Sequence, residues 1–317
     1  MSFSEAPPPF DRASNVASVD NMRPVADLIV RSCDGVEFYV HKSVLSIASQ
    51  AFASMFHDAS MIVSTEEPLV LQEDARTLDA LFRTCYPVSD PTLDKAEEAF
   101  KVMEASRKYM MEYAKEVSLK ALTSSKHLEE DPFSVFAVAC HFNLPEIARK
   151  AARFTLFRDP PTHAPVGLQF TSGANIWNLL AYWRECKDVA LRLVDDDDFW
   201  SSTLDSPWIT SFFCATCNPE ADKLGFQEEY SEPFGVDGAI YRRVSSEWLR
   251  TLPCGVPEEK TYHQLRALIL LQVKPTELKC IKCCESMACT IGFFVRGLFD
   301  GIERAISKVE LKLDFDQ

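Results

Sequence analysis

The chain has 317 residues, 47% apolar and 25% charged, with 10 Gly and 18 Pro; this excludes collagen-like and low-complexity classes and leaves room for two ordinary domains. Its 33 basic and 47 acidic residues give a net charge of −14, which argues against a protein whose main task is to neutralise nucleic-acid phosphate or anionic lipid. The 11 cysteines, an odd number spread from Cys33 to Cys289, cannot all pair. The opening residues lack the basic start and apolar core of a secretory signal, and no apolar run approaches the roughly 18–20 residues of a membrane span. A reducing compartment, cytosol or nucleus, is the expectation.

Residues 1–24, with Pro7-Pro8-Pro9 among mostly small polar neighbours, read as a flexible arm. The β-branched run Ala26 to Ser32 then predicts a strand, Asp34-Gly35 a tight turn, and the alternating Val36 to Val40 a second strand, the strongest hairpin signal in the chain. After His41-Lys42 the period becomes helical, with Val44, Leu45, Ala48, Phe52, Met55 and Phe56 on one face. Pro68 to Gln72 reads as a short strand, and Asp74 as the cap of a helix carrying Leu78, Leu81, Phe82 and Cys85.

From Asp94 to Leu122 the spacing predicts one long amphipathic helix or two abutting ones, with Ala99, Val102, Met103, Tyr109, Met110, Tyr113 and Val117 on a common stripe. Asp131-Pro132 is a helix start, a capping carboxylate followed by proline at the first helical position, and Pro145 opens the next helix. The joint Asp159 to Pro165 breaks the pattern. A helix from about Gly173 to Val194 turns Ile176, Leu179, Leu180, Trp183, Ala190 and Val194 inward. Between Ser201 and Tyr262 little periodicity is visible. Helix returns at Tyr262 to Val273 and ends the chain from about Glu285 to Leu311, where Gly292, Gly297 and Gly301 are compatible with close backbone packing.

The stretch Asp27 to Phe56 resembles the opening of a BTB/POZ domain. Asp27, His41, Lys42, Leu45, Ser49, Phe52, Met55 and Phe56 stand in that family's order, and the strand and helices through Leu122 follow in sequence. The resemblance implies an α/β (α+β) class: a BTB/POZ fold, a small sheet capped by helices, followed by a mostly helical C-terminal region. The expected divisions are the arm at 1–24, the BTB/POZ domain at 25–124, a helical extension at 125–195, and a C-terminal region at 196–317. That last region is similar, more loosely, to fungal BTB proteins with a cysteine-bearing C-terminal half.

The resemblance also implies site residues. In dimeric BTB domains the acid and base matching Asp27 and Lys42 form a charged pocket beside the dimer seam, though an ordinary fold-stabilising ion pair fits the residues equally well. His41, between strand and helix, reads as a structural histidine satisfying nearby backbone groups. Cullin-3-recruiting relatives often show an apolar–x–Glu motif between the second helix and the third strand. Here Ser60 to Glu67 has Val63 where the Glu would follow Met61, so cullin-3 recruitment stays an alternative.

Cys214-x-x-Cys217 and Cys280-x-x-Cys283 have the spacing of thiolate pairs that bite one tetrahedral ion. The long gap between the pairs, and Cys254 and Cys284 nearby, leave one structural zinc, separate thiols and a redox role all open. Asp195 to Asp198 lacks the alternation of a calcium loop and reads as a solvated terminus. No nucleophile elbow, phosphate loop or zinc-protease motif occurs, so an enzyme is not expected. The expectation is an interaction scaffold or adaptor that forms a homodimer and recruits another protein, with neither nucleic acid nor membrane as partner. The alternatives are a substrate adaptor of a cullin-3-type ubiquitin ligase and a zinc-containing transcriptional regulator.

Overall fold

A computed structural model describes residues 4–15, 24–57, 67–204, 235–252, 257, 259–272 and 281–315. These fall into two compact units, residues 1–151 with 164–171 and residues 152–163 with 172–317.

The first unit is built on a four-stranded sheet of order β1-β3-β2-β4: β1 (Ser4–Glu5), β2 (Leu28–Arg31), β3 (Val36–Val40) and β4 (Leu69–Val70). The β2–β3 hairpin is antiparallel, pairing Val30 with Phe38 and Arg31 with Glu37, and its turn uses Gly35 at φ 85°, a conformation glycine adopts without steric cost. The alternate residues Leu28, Val30, Phe38 and Val40 are buried. They meet Leu45 of α2 (Lys42–Ala48), Phe52 of α3 (Gln50–His57) and Leu78, Leu81 and Phe82 of α4 (Ala75–Arg83) in one core. Asp74 caps α4 by accepting the Thr77 amide at 2.8 Å.

Residues 4–15 depart from the expected arm. Ser4–Glu5 pairs in parallel with β3, the short α1 (Arg12–Asn15) follows, and Phe10 is 1% exposed. The aromatic ring that enters the core and the backbone pairing with β3 together oppose the entropy lost in ordering a segment otherwise made of small and polar residues.

The long helix of 94–122 is two helices, α5 (Ala96–Tyr109) and α6 (Glu112–Leu122), separated by Met110 in the left-handed region at φ 54°. The break shifts the buried stripe. Ala99, Val102, Met103 and Tyr109 face inward as expected, but Met110 and Tyr113 are exposed, and Met111, Ala114, Ser118 and Leu122 are buried in their place. Then come α7 (Ser125–Glu130), α8 (Pro132–His141), which Asp131 caps through the Ser134 amide, and α9 (Pro145–Thr155), which crosses from the first unit into the second.

In the second unit α10 (Gly173–Asp195) packs on α12 (Gly235–Thr251) and α14 (Ile281–Ile306), α13 (Tyr262–Gln272) packs on α12 and α14, and α11 (Asp197–Leu204) packs on α14. Its centre is an aromatic stack: Phe294 lies face to face with Trp200 at 5.5 Å and with Tyr241 at 4.3 Å. Three expectations are corrected. Leu180 of α10 is exposed, and Tyr182 is buried instead. Helix α12 lies in the stretch read as aperiodic; its buried stripe, Tyr241, Val244, Ser245, Trp248 and Leu249, has helical spacing that a serine at a core position hides from an apolar count. The final helix stops at Ile306, and Leu311 and Leu313 are buried from an extended tail.

Candidate interaction site

The hairpin delivers His41 to the end of β3, where the chain turns into α2. His41 is the N-cap of α2, but its side chain caps nothing. Asp27, just before β2, does so: its Oδ1 accepts the Lys42 backbone N–H at 2.8 Å. A carboxylate at this position satisfies one of the orphan donors of the first turn and complements the helix dipole. The ring of His41 is fixed at both nitrogens. Nε2 lies 2.9 Å from the Pro24 carbonyl, which can only accept, so Nε2 carries the proton and Nδ1 receives the Tyr86 hydroxyl at 3.1 Å. The same hydroxyl oxygen accepts the His41 amide at 2.8 Å. Burial pushes the Tyr86 phenol up, only partly opposed by that amide, so it stays protonated and able to donate.

Asp27, His41 and Lys42 are therefore brought together, and the contact from Asp27 goes to the Lys42 backbone. Further along α2 stands Ile47, 88% exposed, the most exposed large apolar side chain among the described residues. Its helix is held rigidly from below by Leu45 in the core and by Ser49, whose hydroxyl donates to the Tyr109 carbonyl.

A second feature of this unit was not visible in the sequence. A cleft of about 660 Å³ is walled by Cys33, Glu73, Asp74, Phe100, Lys101 and Phe170, among others. Its charges are internally matched. Lys101 bridges Asp74 at 3.1 Å and Glu97 at 3.0 Å, Lys108 meets Glu73 at 2.8 Å, and Arg107 meets Glu104 at 2.9 Å. The hydrogen bonds that Lys101 donates to Glu97 and Asp74 raise its pKa, which keeps it charged. Matched ion pairs stiffen such a wall and leave little net field to draw in a small ion. The second unit has its own cleft, about 720 Å³, with Tyr262, His263, Cys289, Phe293, Arg296 and Asp300 on its walls.

Cys214, Cys217 and Cys280 lie outside the described residues, as do Met61 and Val63, and of Cys283 only the helical backbone is described. Among the described residues no group of His, Cys, Asp and Glu side chains could hold a metal ion, and no helix is long and apolar enough to cross a membrane.

The family model for the BTB/POZ domain matches residues 20–126, the span that holds the hairpin, α2 to α6 and the Asp27–Lys42 contact. The chain carries a BTB/POZ domain. A comparison with curated proteins finds no match. A BTB/POZ domain is a protein–protein interaction module, and its fold here, a small sheet wrapped by helices, is joined to a helical C-terminal region.

Proposed function

We propose that this BTB/POZ protein is an interaction scaffold or adaptor that self-associates through the outer face of α2, with Asp27, His41 and Lys42 at the edge of the seam. The observation that carries the reading is the family assignment of residues 20–126, taken with the near-complete exposure of Ile47 on a helix the core holds in place. The backbone that carries this isoleucine is pre-organised for its burial against a second copy, so little further chain has to be ordered. The bonds of His41 favour a positioning role: they set where β3 ends and α2 begins, and so aim Ile47.

Sedimentation of the full chain at micromolar concentration tests this reading. The wild type is expected to run as a dimer, and Ile47→Asp as a folded monomer that keeps a cooperative thermal transition at a lower midpoint. A wild-type monomer would remove the proposal. Cullin-3 recruitment has the weaker support, because Val63 stands where the recruiting motif has Glu.

A further inference from the structure

The segment 4–15 is bound to the BTB/POZ domain the way a peptide is bound to a sheet edge. Strand β3 lies between β2 and β1, so its outer side is a sheet edge that, among the described residues, β1 pairs with. On that side Ala6 donates its amide to the Glu37 carbonyl at 2.9 Å, and the Phe10 carbonyl accepts the Tyr39 amide at 2.9 Å. Between these two bonds the prolines carry the chain around a turn closed by the Phe10 amide on the Pro7 carbonyl. Two apolar side chains are sunk into the domain, Ala6 at 2% and Phe10 at 1% exposure. The Phe10 ring sits in an aromatic socket of Phe38, Phe82 and Tyr86, with centroids 6.2, 5.9 and 5.2 Å away and the last two rings edge-on.

The segment also holds its own shape. Asp11 caps the short α1 through the Ser14 amide, and the Asn15 side chain donates to the carbonyls of Pro9 and Asp11. Beside the β1–β3 pairing, its polar bonds to the domain include those of Ala6 and Phe10 to β3, Arg83 donating to the Pro8 carbonyl, and the Ala26 amide donating to the Asn15 carbonyl. Backbone pairing along a sheet edge with side-chain pockets for selectivity is the physics of β-augmentation.

We propose that the β3 edge and the Phe38–Phe82–Tyr86 socket form a peptide-recognition site that residues 4–15 fill in cis. The partner it fits in trans is a peptide of the same chemistry: a small residue on the edge, a proline-rich turn, and an aromatic anchor four positions on. The site lies on a different element from the α2 face and does not depend on self-association. A tethered segment competes at a high effective concentration, so an outside peptide gains access only when the cis anchor is weakened or outcompeted.

The test uses the full chain and a fluorescein-labelled peptide of residues 4–15. The peptide should bind the Phe10→Ala chain at least about 100-fold more tightly than the wild type, because the intact cis anchor is absent from the variant. A peptide carrying Phe10→Ala should bind neither. Equal affinity for both chains, or no binding to a folded Phe10→Ala chain, would overturn the proposal. Hydrogen exchange on the wild type decides independently of any variant. The Ala6 and Tyr39 amides should exchange at least about 100-fold faster than the amides bonded within the β2–β3 hairpin, reporting release of the segment alone. Exchange of all of them together would mean that the segment is an inseparable part of the fold, and the proposal would fail.

Discussion

The hydroxyl of Tyr109 donates a 2.6 Å hydrogen bond to the Glu73 carboxylate, which ties the end of α5 to the loop that leads into α4. The ring of Tyr109 stacks on Phe52 with centroids 4.8 Å apart, and its carbonyl receives the Ser49 hydroxyl, so one residue fastens α3, α5 and that loop. Burial pushes the Glu73 carboxyl up, but the hydrogen bonds from Lys108 and Tyr109 outweigh it and hold the carboxyl below its ordinary value.

A depressed folded-state value means that this stabilisation is fully present above the ordinary carboxylate range and is lost as pH falls through that range to the depressed value. Tyr109→Phe keeps the stack and removes the bond. It should lower stability at neutral pH by about 1.5–3 kcal/mol, the usual scale for a hydrogen bond to a charged group. Urea unfolding of both proteins at neutral pH and near about pH 3 checks this; the gap between them should narrow in acid, where Glu73 takes up a proton.

The Asp27 contact gives a second outcome. Because the carboxylate holds the Lys42 backbone amide, Asp27→Ala should cost about 0.5–2 kcal/mol through the uncapped start of α2, whereas Lys42→Ala keeps that bond and should cost less. Thermal unfolding of the two variants ranks them. A larger loss from Lys42→Ala would place the weight on its side chain and favour an ion pair.

Features written in neighbouring residues were legible in the sequence. Asp34-Gly35 gave the turn, while Asp74 and Asp131-Pro132 marked helix starts whose caps the structure contains. What was hidden depends on residues far apart or on a single local exception. Met110 in the left-handed region moves the buried face by one residue, Ser245 at a core position conceals α12, and Phe10 alone among small and polar residues gives no periodic signal. The cleft of the first unit draws its walls from Cys33, Glu73, Lys101 and Phe170, four segments that only the fold assembles. The proximity of Asp27 to Lys42 followed from the family resemblance, but the atom that Asp27 holds did not.

The cysteines divide by environment. Burial pushes the Cys85 and Cys140 thiols up to about 12, so almost no thiolate forms there at mildly alkaline pH, whereas Cys33 and Cys289 are exposed. Alkylation of the native protein at about pH 8, followed by peptide mass analysis, should label Cys33 and Cys289 and spare Cys85 and Cys140 until denaturant is added. Early labelling of Cys140 would show that α8 opens locally.

Two glycines of α14 should respond in opposite ways to the same added methyl group. At Gly301 a Cβ would lie 2.5 Å from Cε2 and 3.0 Å from Cζ of Phe199, and 3.2 Å from a Leu193 methyl. The Phe199 ring is itself buried and edge-on to Trp200 at 5.7 Å, so it has little room to yield. At Gly292 the close atom among the described residues is the Tyr262 hydroxyl at 3.2 Å, the far end of a side chain that can give way. Replacing glycine by alanine inside a helix contributes up to about 1 kcal/mol, while forcing a methyl group into a packed site costs about 1–3 kcal/mol. Crowding wins at Gly301 and propensity at Gly292. Gly301→Ala should therefore lower the urea midpoint, and Gly292→Ala should leave it unchanged or raise it. Equal shifts in the two variants would mean that α14 does not approach α11 as closely as the Gly301–Phe199 contact requires.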